Sequence, residues 1–403
     1  MRLKPDTVAM TATLGLLTSL GPLSTDMYLP SLPHIAAAFD STVAKTQLTL
    51  SAFLVGFALS QIVYGPVSDR LGRRPVLVVS LVLFALASAV CAFSGRIETL
   101  IAARFLQALG AAGGVVIART IVRDLYAANR AAQELALMGA IMGIVPLLAP
   151  GLGAVLHDLL GWRSNFAVIA LMGLAGAFWI RASLPETLKA EYVRPATARS
   201  IARDFATLLS HPVYRVYLAF ACCGYGGLFS FLSTSSFILQ NIYGLSALQF
   251  GLAFACPVLG YMSGTLLGRR MTGRAGIDAT IGAGTVMLAA GGVLCLLLTE
   301  TAAVGSGIWR VLLPAAIYFH GVGLVLPQSM AGALTPFPDR AGTASSLLGF
   351  VQMSFAAVVG IVVAANLGAS ARSLAIAMAV LGSGALAVHL LTRKLRQRSS
   401  VSA

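Results

Sequence analysis

Charged side chains are scarce. Asp, Glu, Lys and Arg make up 10% of the 403 residues, while 58% are hydrophobic. A soluble globular domain carries about 25% charged and about 45–50% apolar residues. The shortage excludes a soluble enzyme, a disordered chain and a coiled coil. Acid is scarcer than base: 14 Asp and Glu stand against 28 Lys and Arg, for a net charge of +14. In a soluble protein that excess would suggest a nucleic-acid partner. Here the basic residues sit in short clusters between apolar runs, which is how membrane topology is encoded, so no nucleic acid is expected. Cysteine is sparse too. Cys91, Cys222, Cys223, Cys256 and Cys295 all lie in apolar stretches without metal-ligand spacing, so buried free thiols and no metal are expected. Also missing are an Asp-x-x-x-Asp pair, a His-Glu-x-x-His string and a Gly-x-x-x-x-Gly-Lys-[Ser/Thr] loop. Without them an intramembrane enzyme such as a lipid-modifying transferase is disfavoured.

Long apolar runs are what the chain has in abundance. A spanning helix needs about 20 apolar residues, so twelve would use roughly 240 and leave short connections. Runs of that length fall at 8–32, 46–67, 75–93, 99–120, 135–157 and 164–183. A more charged stretch, 184–212, carries Glu186, Lys189, Glu191, Arg194, Arg199, Arg203 and Asp204. Six more runs follow at 213–239, 247–267, 277–298, 310–333, 341–366 and 373–392. The expected fold is an all-α membrane protein with twelve transmembrane helices in two six-helix halves. Residues 1–183 form the first bundle, 184–212 a cytoplasmic linker, and 213–403 the second bundle with a short basic tail. The start, Met1-Arg2-Leu3-Lys4 before an apolar run, superficially resembles a secretory leader. No small-residue cleavage site precedes Asp26, so a retained first span is expected.

Orientation follows from the basic residues. With the N-terminus inside, 22 of the 28 Lys and Arg fall in inner segments. Lys45, Arg96, Arg163, Arg310 and Arg372 fall in outer ones, and Arg104 alone lies within a span. This asymmetry predicts both termini in the cytoplasm.

An ionisable group inside a bilayer costs at least about 2.5–3.5 kcal/mol, which makes it a functional candidate. Asp26, in Leu23-Ser24-Thr25-Asp26-Met27-Tyr28-Leu29-Pro30, lies in the first run; Arg104 lies in the fourth. At about 1.5 Å per residue both fall roughly 10 Å below the outer boundary, so they meet if those spans are neighbours. The functional reading is a proton site. Burial raises a carboxyl's pKa and a nearby Arg lowers it, so moving one against the other switches protonation. The alternative is a static salt bridge. Gln107 lies one turn from Arg104 and shares its face.

The second half is polar without charge. Tyr225, Ser230, Ser233, Thr234, Ser235, Ser236, Gln240 and Asn241 lie in the seventh run, Gln328 in the tenth and Gln352 in the eleventh. A carrier of phosphorylated sugars or dicarboxylates would clamp its ligand with several Arg or Lys groups. A cavity lined by Tyr28, Gln107, Tyr225, Phe229, Ser233, Gln240, Gln328 and Gln352, with Phe231 and Phe237 nearby, suits a lipophilic, modestly polar solute. Ordinary helix packing is the competing reading for each. His34, His157 and His211 fall in or near loops; His320 and His389 lie in spans with no visible partner.

After the second run comes Gly65-Pro66-Val67-Ser68-Asp69-Arg70-Leu71-Gly72-Arg73-Arg74-Pro75. It reads as a tight inner turn whose glycines permit the bend. Asp69 is placed to cap a helix N-terminus or to pair with Arg119 or Arg123 at the inner end of the fourth run, a latch holding one conformation. The string resembles the major facilitator superfamily signature G-x-L-x-D-R-x-G-R-[KR]. The corresponding Leu267-Gly268-Arg269-Arg270-Met271-Thr272-Gly273-Arg274 keeps only Gly and Arg, which leaves a second latch in doubt.

Two further strings carry the resemblance. The fourth run, with Arg104, Gln107 and Gly110, is similar to the superfamily's fourth-helix pattern, in which the Arg is associated with proton coupling. The fifth run contains Gly139, Gly143, Pro146, Pro150, Gly151 and Gly153 and is similar to the antiporter motif of drug:proton exchangers. Its small residues allow close packing and its prolines bend the helix, as a pivot or seal. Ser24–Pro33 and Ala341–Gly349 resemble the Bcr/CflA branch of those exchangers, associated with efflux of bicyclomycin and chloramphenicol-type compounds. The resemblance implies a monomeric inner-membrane antiporter that exports small lipophilic compounds in exchange for protons, with Asp26 and Arg104 coupling the two. It implies no cofactor beyond the proton gradient. A nutrient-importing symporter is the rival within the superfamily, disfavoured by the fifth-run string and the uncharged second half.

Overall fold

A computed structural model describes residues 3, 5, 7–126, 128–188, 198–300, 307–337, 340–368 and 370–396. Arg2, Lys4, Lys189, Glu191, Arg194 and Arg398 lie outside the described residues. Among the described residues there is no strand. The chain divides into two compact units, Met1–Ala196 and Thr197–Ala403.

The first unit begins with α1 (Val8–Asp26), capped where the Thr7 hydroxyl accepts from the Met10 N–H at 3.3 Å. The first apolar run was expected as one helix over 8–32; it is not. Pro30 lies four residues beyond Asp26. It has no N–H for the Asp26 carbonyl, and its ring collides with the carbonyl at that spacing. The helix therefore stops at Asp26, and a 3₁₀ turn (Leu29–Ser31) and a short α2 (Leu32–Ala38) follow. Then come α3 (Val43–Leu71), α4 (Arg73–Ala92), α5 (Ile97–Leu125), α6 (Ala128–Leu160) and α7 (Arg163–Ser183). α6 runs unbroken through Pro146 and Pro150.

α5 is the centre of this unit and packs against α1, α3 and α4. Helices in a bilayer gain little from hydrophobic contrast with lipid and associate through close backbone approach. A Cβ at Gly110 would sit 2.7 Å from the Ser80 carbonyl, and one at Gly114 would sit 2.8 Å from that of Leu17. These two glycines bring α4 and α1 onto α5.

The second unit contains α8 (Ala198–Ser210), α9 (Pro212–Phe237) running into a π-helical turn (Ile238–Ile242), and α10 (Ala247–Ala253). α11 (Ala255–Glu300), α12 (Trp309–Leu334), α13 (Ala341–Ala365) and α14 (Arg372–Leu391) complete it. Among the described residues eleven helical stretches are long and apolar enough to cross a membrane. One of them, Ala247–Glu300, has 54 residues, about 80 Å of helix against a hydrocarbon core of about 30 Å. It is two spans. Gly276, at φ 82 and ψ 174, breaks α11 in a conformation that side chains disfavour, which brings the spans among the described residues to twelve.

Within the stretch read as a polar linker lies an unexpected helix, α8. Its Leu208 is buried, it packs on α9 and α13, and Asp204 pairs with Arg340 at 2.9 Å. Around both units large apolar side chains stand exposed, among them Val79, Phe178, Leu266 and Val380, as hydrocarbon requires and water does not tolerate in such numbers.

Close approach at Gly110 has a measurable consequence. Gly110→Val inserts methyls against backbone and is expected to destabilise by about 1–3 kcal/mol. Gly139→Ala, where a Cβ meets nothing within 4 Å, is expected to be neutral or slightly stabilising. Melting temperatures in detergent compare the two.

Candidate functional site

Asp26 and Arg104 lie on neighbouring helices, α1 and α5, and both are buried, Arg104 with no exposed surface at all. They do not form an ion pair. The break after Asp26 explains where the guanidinium goes instead. The last four carbonyls of a helix lack partners within it, and Arg104 Nη1 donates to that of Ser24 at 3.0 Å. The same nitrogen donates to Gln107 Oε1 at 2.5 Å, and Gln107 Nε2 donates to Ser88 Oγ at 2.7 Å. The rings of Tyr28 and Phe53 each lie 4.4 Å from the guanidinium carbon, and that of Phe166 lies 5.8 Å away. Aromatic faces attract a cation most strongly where water is excluded. Nε and Nη2 of Arg104 have no hydrogen-bond partner among the described residues. Asp26 accepts from the Thr25 hydroxyl at 3.0 Å. Tyr28 and Gln107, expected to line a solute cavity, are fully buried around Arg104; the Tyr28 hydroxyl is shared with Thr49 at 2.7 Å.

The fifth-run glycines divide. Cβ atoms at Gly139, Gly143 and Gly151 would meet nothing within 4 Å, so within the described residues these three do not serve close packing. Gly153 does: its Cβ would fall onto the Met27 carbonyl, directly after Asp26. Asn165 Nδ2 on α7 donates to both the Gly153 carbonyl and Ser31 Oγ at 3.2 Å. The α1 break is thus braced by α6 and α7. His157 on α6 packs against His34, the rings tilted by 53° with centres 4.2 Å apart, and shares a hydrogen bond with Ser31 Oγ at 3.1 Å.

At the other end of the unit the signature loop differs from expectation. Gly65 to Leu71 remain helical in α3; only Gly72, at φ 95, turns the chain. Asp69 pairs with Arg73 rather than with Arg119 or Arg123. Arg73 is buried and also donates from Nε to Asp124 Oδ2 on α5 at 2.9 Å and from Nη1 to Ser68 Oγ at 2.8 Å. The cluster is one buried cation between two carboxylates. Arg70, Arg119 and Arg123 keep exposed surface. Nor is Asp69 the cap of α4. Glu186, past the end of α7, accepts from the Arg73 and Arg74 N–H groups at 2.9 and 3.2 Å, a carboxylate on a helix N-terminus.

The second unit has its own clamp, which the degraded 267–274 string concealed. Arg396, beyond α14, is buried and pairs with Asp278, just after the Gly276 break. It also bonds Thr392 Oγ1, His389 Nδ1 at 3.1 Å and the His389 carbonyl at 2.9 Å, and lies over Phe220. Arg269, Arg270 and Arg274 are exposed. His389 and His320, read as unpartnered, both have partners; that of His320 is Ser263 Oγ at 2.9 Å.

The neutral polar residues of the second unit are scattered in role. Ser230, Ser233 and Thr234 bond back to carbonyls of their own helix, as membrane hydroxyls commonly do. Gln240 donates to Ser236 Oγ at 2.7 Å and lies in the π turn, a geometry frequent at functional sites. Phe229 is buried, and Tyr225 and Gln352 are half-buried. Gln328 donates to Thr272 Oγ1 at 3.0 Å, while its Oε1 lacks a partner.

Four acids went unread in the sequence: Asp124, Glu134, Asp278 and the capping role of Glu186. Asp124 lies five residues from Arg119 in an apparently basic segment, and Asp278 two residues from a Gly. Only their partners, distant in sequence, give them meaning.

The model of the Major Facilitator Superfamily matches residues 14–361. The chain belongs to the major facilitator superfamily. It is 30% identical over 364 residues to the bicyclomycin resistance protein homolog of Haemophilus influenzae, covering 90% of this chain and 91% of that one. It is 32% identical over 353 residues to a chloramphenicol resistance protein of Pseudomonas aeruginosa, covering 85% and 79%. A bacterial homologue of the human lysosomal transporter Spinster, solved facing inward and unoccupied, shares the fold at a TM-score of 0.71 and 15% identity, over 96% and 95% of the chains. As a superfamily member the chain is a multi-pass membrane transporter of small molecules.

The tail clamp can be tested apart from transport. Arg396→Leu leaves Asp278 uncompensated and is expected to destabilise by about 1–3 kcal/mol, less than a fully buried pair because the Asp278 side chain is 42% exposed. Arg396→Lys should recover part of this. Thermal unfolding in detergent reads both.

Proposed function

We propose that this transporter exports small lipophilic or modestly polar compounds, bicyclomycin and chloramphenicol-type antibiotics among them, in exchange for protons by alternating access. It works as a monomer in the bacterial inner membrane with both termini in the cytoplasm, without cofactor and without chemical change to the solute. The observation that carries the reading is the disengaged pair: a buried carboxyl and a buried guanidinium on adjacent helices, the second with two unused donors. An ionised carboxylate buried without a counter-charge is costly. A bundle that presents Asp26 to Arg104 in one state and to water in another therefore changes its affinity for a proton between states. A proton shifts the equilibrium only through that difference.

The proposed cycle follows. Asp26 takes a proton from the outer side, which removes its attraction to Arg104, and releases it inward. The membrane potential contributes about 2.3 kcal/mol per charge per 100 mV, with the pH gradient added. Solute leaves as the proton enters. The names of the two resistance-protein relatives support the solute class, and the fifth-run string supports exchange over symport.

Drug susceptibility in a pump-deficient host, with and without the gene, is the first test; resistance to at least one such compound is expected, lost when the proton gradient is collapsed. Asp26→Asn is expected to abolish proton-coupled export, and full export by it would remove Asp26 from the mechanism. Arg104→Ala is expected to stop transport. Arg104→Lys retains charge but not the planar fork, and equal loss in both would assign the role to guanidinium geometry. Solute and proton moving in the same direction in sealed vesicles would overturn exchange in favour of symport.

A further inference from the structure

The first unit holds a second buried acid that this cycle does not use. Glu134, on α6 near the end that carries Arg73, is 2% exposed. Its Oε2 accepts from the Thr11 hydroxyl on α1 at 2.5 Å. Its Oε1 pairs with Arg130 Nη2 at 2.7 Å, and the Arg130 side chain is half in solvent. Among the described residues these are its polar contacts.

Thr11 belongs to a row. Thr11, Thr18 and Thr25 stand seven residues apart on α1, which keeps them on one face with a drift of about 20° per interval. At both ends of the row a hydroxyl reaches a buried carboxyl. Thr25 shares its hydroxyl proton between the Pro22 carbonyl at 2.8 Å and Asp26 at 3.0 Å at one end, and Thr11 donates to Glu134 at the other. Thr18, buried between them, donates to the Gly15 carbonyl and keeps its oxygen free to accept. One helix face thus links two buried carboxyls through hydroxyls, over about 21 Å. Successive hydroxyls are about 10 Å apart, so water molecules must bridge each interval when a proton passes.

We propose that Glu134 is a second proton-binding site, the group that receives the proton leaving Asp26 and passes it to water at the Arg130 end. The balance is simple. The Glu134 carboxylate takes a proton from the water chain, becomes neutral and lets go of Arg130. It then gives the proton to water beside Arg130, and the carboxylate and its ion pair re-form. The proposal rests on the proton-exchange reading of Asp26.

The full-length protein in sealed vesicles, with labelled chloramphenicol as solute, provides the test through two readouts. One is uptake driven by an imposed pH gradient. The other is exchange of labelled for unlabelled solute at equal pH, which needs no net proton passage. Glu134→Gln is expected to slow gradient-driven uptake by about tenfold or more while exchange stays within about twofold. Thr11→Val should show the same split more weakly, and Glu134→Asp should restore part of the loss. Unchanged driven uptake in Glu134→Gln overturns the proposal, and so does equal loss of both readouts, which would make Glu134 a structural brace. An unaltered protein that shows exchange but no gradient-driven uptake overturns the proton-exchange reading and this proposal together. One inactive in both overturns the export reading for this solute as well.

Discussion

Arg104 has no exposed surface and, among the described residues, no ion-paired carboxylate, so the first unit must supply by other means what water would have given a guanidinium. It does so with a helix-end carbonyl, an amide oxygen and three aromatic faces. Each provision constrains something else. The Ser24 carbonyl is free because Pro30 ends α1 at Asp26. Gln107 holds its place because Ser88 accepts its amide. The guanidinium reaches α1 because Gly114 lets α5 touch the Leu17 carbonyl. Moving any of these moves the charge, and a charge in a low-dielectric interior resists being moved without a replacement partner.

The ends of the two units that carry the basic turns solve one problem by different means. At both of these turns the chain passes through a positive φ, which Gly72 and Gly276 provide at φ 95 and φ 82. After Gly72 comes Arg73, which reaches back to Asp69 and across to Asp124. After Gly276 comes Ile277, and an arginine from beyond the last span, Arg396, meets Asp278 instead. The repeat is preserved as a geometry and a charge pair, not as a string. That is why the second clamp was unreadable from residues 267–274: its cation is more than a hundred positions away.

The spans were legible because a bilayer imposes one length and one composition on every crossing helix, and periodicity hardly matters. Their number was legible for the same reason, even where the α11 element runs on for two crossings. The placing of Asp26 and Arg104 inside the bundle was legible because intramembrane charge is rare. Their separation was not. It depends on the ending of α1, although the spacing of Asp26 to Pro30 did hold that information. Local strings misled wherever a contact is decided across the bundle. Arg119 and Arg123 lie near Asp69 in topology, yet the Asp69 carboxyl is taken by Arg73, four residues on. Glu134 lies one residue before the fifth apolar run, 135–157, and so outside the stretch where a charge stands out. Its burial comes from α1, which sequence alone does not bring there.

The fifth-run glycines show how a motif can be half structural. Gly153 is a contact residue, holding α6 against the carbonyl of Met27, while Asn165 ties the carbonyl of Gly153 itself to Ser31. The corner that follows Asp26 is therefore built from three helices. Under the proposed cycle, a change in the charge of Asp26 acts on a corner already gripped by α6 and α7 and cannot be absorbed by α1 alone. Packed elements have discrete arrangements rather than a continuum. A proton at that corner favours one arrangement of α1, α6 and α7 together. Coupling then needs no long-range signal: the group that titrates and the helices that move share a contact.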